Sequence, residues 1–146
     1  MNRKKLFRRR RFHRKQISRM GASAVEFAMI APLMLMFTFG LVEVGRLMLV
    51  KQTATHASRE GARVAVRPAS ATDDVVERVY EELALLAIEN AVVETIPASI
   101  EDAEPGTQVT VRVRVNAASV AWVGDFFNFS DLEIIAESSM RRESTD

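Results

Sequence analysis

The chain is 146 residues long, room for one small domain and an anchor, and its formal charge of +1 conceals two opposed parts. Residues 1–21 carry ten Lys/Arg and no acid, whereas the remaining 125 residues carry the other ten bases and all 19 acids, a net charge of −9. Without cysteine, and with His13 and His56 in unrelated contexts, the composition excludes disulfides, thiol catalysis and thiolate zinc sites and offers no metal-ligating set.

The leader, residues 1–21, owes its charge to Arg3, Lys4, Lys5, the run Arg8–Arg11, Arg14, Lys15 and Arg19. Three roles fit it: a solvated tail that sets orientation, a nucleic-acid arm, or a leader removed by processing. The second lacks a folded reader and any aromatic interleaving beyond Phe7 and Phe12, so no nucleic-acid partner is expected.

Phe27 to Val42 follows as 16 residues without a charge. Extended to Val50 the segment has 24 residues, roughly 36 Å as a helix, which spans a hydrocarbon core of about 30 Å with some tilt. Glu43 and Arg46 lie three apart on neighbouring turns, where they can pair. Inside a span they must sit near the far interface or face protein instead of lipid, and with Glu26 they are read as helix-to-helix contacts. Pro32 removes a backbone donor and leaves the Ala28 carbonyl to be satisfied by neighbours, so it is read either as a packing contact or as a harmless membrane proline. Ten bases before the span and a single Lys51 just after it predict a single-pass membrane protein, which the family resemblance given below implies is in the inner (cytoplasmic) membrane. Its N-terminus would be cytoplasmic and its acidic remainder exported, to the periplasm or the cell surface.

The junction reads Arg19-Met20-Gly21-Ala22-Ser23-Ala24-Val25-Glu26-Phe27. An ordinary secretory signal has a short apolar core followed by a small-residue cleavage site. Here the apolar segment is too long for that, and a processing site falls before it. The spacing of Gly21 and Glu26 resembles the prepilin cleavage motif, in which a glycine precedes the cut and a glutamate is residue five of the mature chain. The resemblance implies a cut between Gly21 and Ala22, the Ala22 amine then serving the Glu26 carboxylate of a neighbouring subunit. A carboxylate at the end of an apolar helix is costly without such a positive partner. The plain alternative leaves Glu26 in the interface beside the basic leader.

Beyond Val50 the segment through Val66 has no proline, one glycine and much alanine, which predicts continued helix; Pro68 ends it by disfavouring helical geometry at Arg67. The transmembrane and extended helix is therefore set at 22–67. Glu60 and Arg63 can pair. Gly61, with Ala57, Ala62 and Ala65, offers a small-residue surface either to another helix or to the chain's own domain.

Residues 68–146 read as an exported α+β domain. Thr72 supplies a capping hydroxyl and Asp73 and Asp74 the acids for a helix over 73–90. Its apolar stripe is Val76, Val79, Leu83 and Leu86, widened by Tyr80 and Ala87, with Glu77, Glu81, Glu82 and Glu89 on the wet side. A first strand over Val92–Ile100 contains Pro97, an edge or bulge mark. Glu104-Pro105-Gly106 suits a tight turn. Val109, Val111, Val113 and Val115 alternate with polar residues, as do Leu132, Ile134, Ala136 and Met140. The expected fold is an amphipathic helix packed on a small three-stranded antiparallel sheet, behind a long N-terminal transmembrane helix that extends out of the membrane. So small a core would gain from docking on that helix. The aromatic stretch Trp122–Phe129 is read as a core plug or a contact surface.

Gly21 to Pro32, then Leu41-Val-Glu43-Val-Gly45-Arg46, then Ala57-Ser-Arg59-Glu60-Gly61-Ala62-Arg63 resemble the N-terminal signature of TadE-like proteins, and Glu137 to Glu143 is similar to that family's closing strand. The family comprises minor pilins, or pseudopilins, of the Tad (tight adherence, Flp-type) pilus system. The resemblance implies processing by a prepilin peptidase and a part in pilus assembly and surface adherence. The implied partners are the lipid membrane, that peptidase, other pilins and Tad assembly proteins. The short major pilins of the system carry Glu-Tyr after the cut, whereas this chain has Glu26-Phe27 and an extra domain, so it is not expected to be the bulk filament subunit. With no catalytic set, cofactor site or small-molecule substrate in view, an enzyme is not expected. The competing reading is an unprocessed single-pass scaffold of the cell envelope.

Overall fold

The computed structural model describes residues 14–121 and 132–143, with side-chain surroundings from Gly21 onward. Its elements in chain order are α1 (Arg14–Ala65), α2 (Thr72–Ala84), β1 (Ala91–Ile96), β2 (Gln108–Asn116), α3 (Ala117–Val120) and β3 (Glu133–Arg141). Most of the leader and the aromatic stretch Trp122–Phe129 lie outside the described residues. Packing divides the chain into two units, one ending at Gly40 and the other beginning at Leu41.

The first unit is helix, and α1 passes through Pro32 without a break in assignment. Its apolar side chains face outward: Phe27, Met29, Leu33 and Phe37 are each more than three-fifths exposed. An apolar helix that no protein covers suits a hydrocarbon solvent. Thr38 Oγ1 donates to Met34 O at 2.8 Å, which satisfies the hydroxyl within the helix itself. Among the described residues, α1 is the one helix long and apolar enough to cross a membrane.

The second unit is built on a three-stranded antiparallel sheet of order β1-β2-β3. The alternation along β2 sets its two faces, because successive side chains point to opposite sides. Val109, Val111, Val113 and Val115 are fully buried, and the register brings Ala91 and Ile134 beside Val115, and Val93 and Ala136 beside Val113. The other face carries a charged ladder in which Arg112 pairs with Glu94 and Glu137, and Arg114 with Glu94. Val50, Ala54, Ala57, Ala62 and Ala65 of α1 and Val75, Val79 and Leu83 of α2 join the inner face in one core. The expected docking of a small domain on the long helix is thus what completes its core. The small residues on α1 are what let the other elements come close.

Several boundaries differ from expectation, each for a local reason. α2 begins after Ala71, and Asp74 caps it by accepting the Ala71 N–H at 2.9 Å. Thr72 is drawn elsewhere: its hydroxyl donates to Glu101 Oε2 at 2.8 Å and accepts the Ile100 N–H at 3.0 Å. The buried stripe is Val75, Val79 and Leu83: Val79 and Leu83 are as expected, Val75 takes the place expected of Val76, and Leu86 is only partly buried against the core. The helix closes at Ala84 instead of 90 because Ala87 takes φ +52°, with Ile88 N–H donating to Leu83 O and Ala87 N–H to Ala84 O. That pair of bonds is the Schellman arrangement, and the buried Ile88 and Leu83 supply its apolar contact. Glu82 is not on the wet side: its side chain is 12% exposed and engages Arg78 and His56. β1 stops at Ile96, before the cis Ile96–Pro97 bond, so Pro97 lies outside the strand. α1 ends at Ala65, and Leu132 precedes β3 and is exposed. The Glu104–Thr107 turn forms as expected, with Gly106 at φ +82° and Thr107 N–H donating to Glu104 O at 3.1 Å.

Candidate processing and assembly site

Gly21, Ala22, Glu26 and Phe27 all lie on α1 and all are exposed. The helix runs from Arg14 across the Gly21–Ala22 bond, so the expected cleavage point is helical in this structure. A Cβ built at Gly21 would meet nothing within 4 Å. Packing inside this chain therefore gives no reason for glycine there; a reason would have to come from whatever binds the segment. Glu26 lies five residues on, about 7.5 Å along the axis, between the exposed apolar side chains of Val25 and Phe27. Pro32 is exposed as well.

The charges at the far end of the apolar stretch have a different setting. Glu43 is 1% exposed, and among the described residues no buried side-chain polar atom lacks a hydrogen-bond partner. Arg46 Nε donates to the Val120 carbonyl of α3 at 2.6 Å. Lys51 Nζ donates to the Ile135 carbonyl of β3. Glu43 thus faces protein, whereas Arg46 is exposed and reaches the second unit of the same chain through the Val120 carbonyl. α3 exists to receive this contact because Asn116 Oδ1 accepts the Ala118 N–H at 2.8 Å and starts a helical turn directly after β2.

Two anchoring points were not legible beforehand. One is the Lys51 bond to Ile135, which joins residues 84 apart in sequence. The other is Arg142, only 6% exposed, which donates to Ile100 O and to Pro68 O, the latter at 3.0 Å. Next to it, Glu143 N–H donates to Val66 O at 3.0 Å. The chain end is thereby tied to the residues that leave α1. A basic pair at the close of an amphipathic strand was the available signal for Arg142.

Helix, sheet and exposed apolar segment together define an α+β domain carried behind a transmembrane-like helix. Residues 21–63, under a third of the chain, match the family model described as TadE-like protein, and over that segment the chain is similar to the family. The match begins at Gly21, ends two residues before α1 does, and takes in Glu26, Pro32, Glu43 and Arg46. No curated protein and no solved structure matches the chain.

Proposed function

We propose that this protein is a minor pilin, or pseudopilin, of a Tad/Flp-type pilus, anchored in the inner membrane with a cytoplasmic N-terminus and cut after Gly21 by a prepilin peptidase. The mature chain begins with Ala22, and its amine pairs with the Glu26 carboxylate of a neighbouring subunit. Such a protein acts in pilus assembly and surface adherence by contact with other pilins and Tad assembly proteins, without catalysis of its own. The observation that carries this reading is where the TadE-like match begins. It starts at Gly21, two residues after Arg19, the last of the ten leader bases, and five before Glu26, the first acid.

The unprocessed scaffold has one observation in its favour, the unbroken helix from Arg14 through Ala22. Intact mass and N-terminal sequencing of the protein extracted from membranes of a host with its prepilin peptidase separate the two. A chain starting at Ala22 supports the pilin. A retained leader, unchanged when the peptidase is deleted, supports the scaffold.

A further inference from the structure

Among the described residues beyond α1, six large apolar or aromatic side chains are exposed: Tyr80, Leu85, Val92, Ile96, Leu132 and Ile135. Four of them gather at one end of the second unit. β3 runs alongside α1, from the Lys51 bond at Ile135 to the Val66 bond at Glu143. The two lengths agree, about 22 Å for the helix and about 27 Å for the strand. Its start, with Leu132 and Ile135, therefore lies at the Arg46–Lys51 level of α1, where Val120 also meets Arg46. Val92 stands in the same cross-strand row as Ile135, through Arg114. α2 runs the opposite way along α1, with Val79 beside Gly61 and His56 Nδ1 at 3.2 Å from Glu82 Oε2. That direction carries Leu85, 77% exposed, to the same end. Ile96, in the Thr110 row, lies at the other end.

α1 itself marks what lies at that level. On its open face Leu41, Val42, Val44, Met48 and Leu49 are apolar and exposed, with Arg46 the charged exposed position among them, and from Lys51 to the end of α1 the exposed positions are Lys51, Gln52, His56, Arg59 and Arg63. Leu49 is thus the last exposed apolar side chain of α1, and that limit lies beside Ile135.

From this placement we infer that the end of the domain carrying Leu85, Val92, Leu132 and Ile135 is a membrane-contacting surface, set into the outer interface of the bilayer that α1 crosses. The occupant is lipid because the surface is level with the apolar-to-polar boundary of the helix to which it is fastened. Side chains so placed enter the headgroup and acyl boundary by about 5–10 Å. The exposed neighbours Glu89, Asn90 and Glu133 fit a rim at headgroup depth. The domain would then rest on the membrane, held by Arg46 and Lys51 at its base. This inference rests on the anchor reading of α1 and is independent of pilus assembly.

The chain has no cysteine, so single-cysteine labelling tests it directly. Full-length Leu85→Cys, Val92→Cys, Leu132→Cys and Ile135→Cys carry an environment-sensitive fluorophore in phosphatidylcholine/phosphatidylglycerol vesicles. Quencher-bearing lipids report depth, with Leu35→Cys as a control in the span and Ile96→Cys as a control at the far end. The expected result is loss of fluorescence at all four sites, greater with a quencher near the headgroup than with one at the acyl terminus. Leu35 should show the reverse order and Ile96 no loss. Four sites behaving like Ile96 while Leu35 is quenched would overturn the inference and leave the anchor standing. An unquenched Leu35 would remove the anchor and this surface with it. Shielding of the four labels in detergent that grows with protein concentration, without lipid quenching, would assign the surface to a second copy and overturn it too.

Discussion

Gly61 of α1 and Val79 of α2 approach so closely that a Cβ at position 61 would stand 2.5 Å from Val79 Cγ2, with Val111 Cγ1 at 3.3 Å. The small-residue surface around Gly61 is therefore occupied by the chain's own domain and is not free for another helix. One contact brings together α1, α2 and β2. Replacing Gly61 with alanine gains about 1 kcal/mol of helix propensity but overfills the site, at a cost of about 1–3 kcal/mol. Val79 cannot swing away, because a β-branched side chain in a helix has essentially one rotamer. Overpacking wins, so Gly61→Ala should lower stability by about 1 kcal/mol and Gly61→Val by more. Thermal unfolding of the full chain in detergent measures both. The alanine should do less harm in a Val79→Ala background, and a stabilised Gly61→Ala would contradict the contact.

Arg142 gives the second prediction. Its guanidinium is buried against two backbone carbonyls, Ile100 O and Pro68 O, and the ion pairs among the described residues do not include it. Arg142→Ala strands both acceptors, and unmet hydrogen bonds of this kind cost about 2–4 kcal/mol together. Arg142→Lys should fall between, since an ammonium cannot reproduce the planar fork. The exchange rate of the Glu143 amide, bonded to Val66 O, is the local readout and should rise in both variants before global unfolding does.

Local rules found the parts of this fold that local rules decide. The valines of β2 alternate with polar residues over the whole strand, and all four are buried. The Pro105-Gly106 turn is likewise fixed by its own residues. Adjacent valines at 75 and 76 left the stripe of α2 free by one position, since either fits a helical period with Val79 and Leu83. Thr72 has the chemistry of a cap but is claimed by Glu101, 29 residues away, a partner no local pattern reveals. Glu43 and Arg46 were legible as charges needing protein around them. That the partner of Arg46 is α3 depends on a turn started by Asn116, which nothing near Arg46 in sequence announces.

Ala87 offers a stabilising change. Its φ of +52° lies in the left-handed region, where a Cβ costs roughly 1–2 kcal/mol and glycine avoids the clash. The extra freedom glycine brings to the unfolded chain takes back about 0.5–1 kcal/mol. Ala87→Gly should therefore raise stability by about 0.5–1 kcal/mol. A higher unfolding temperature, with the Ile88-to-Leu83 bond retained by amide exchange, is the expected outcome. A lowered one would mean that Ala87 contributes packing outweighing its strain.

Glu26 tests the assembly reading separately from processing. It is exposed on an apolar helix and has a neighbouring amine as its proposed partner. Glu26→Ala should leave the N-terminus of the extracted chain at Ala22 yet reduce the amount of protein recovered with sheared pili. A bulky substitution at Gly21 should instead block maturation and leave the leader on. Normal recovery of Glu26→Ala with pili would rule out the charge pairing while leaving cleavage in place.

Glu101 predicts an acid response confined to one joint. Its own backbone N–H, then the Thr72 hydroxyl and Thr72 N–H, hold its carboxyl below the ordinary value of 4.5. A carboxyl whose folded value is lowered supports the fold fully above the ordinary value and withdraws that support as pH falls through the folded one. The tie between the start of α2 and the segment after β1 should thus persist at neutral pH and loosen only below 4.5. Being exposed, the group reports on this joint more than on global stability. Following the Thr72 amide resonance against pH should give a midpoint below 4.5, and Glu101→Gln should abolish that titration. A midpoint at or above the ordinary value would mean that Thr72 does not favour the charged carboxylate, and the α2 joint would then need another fastening.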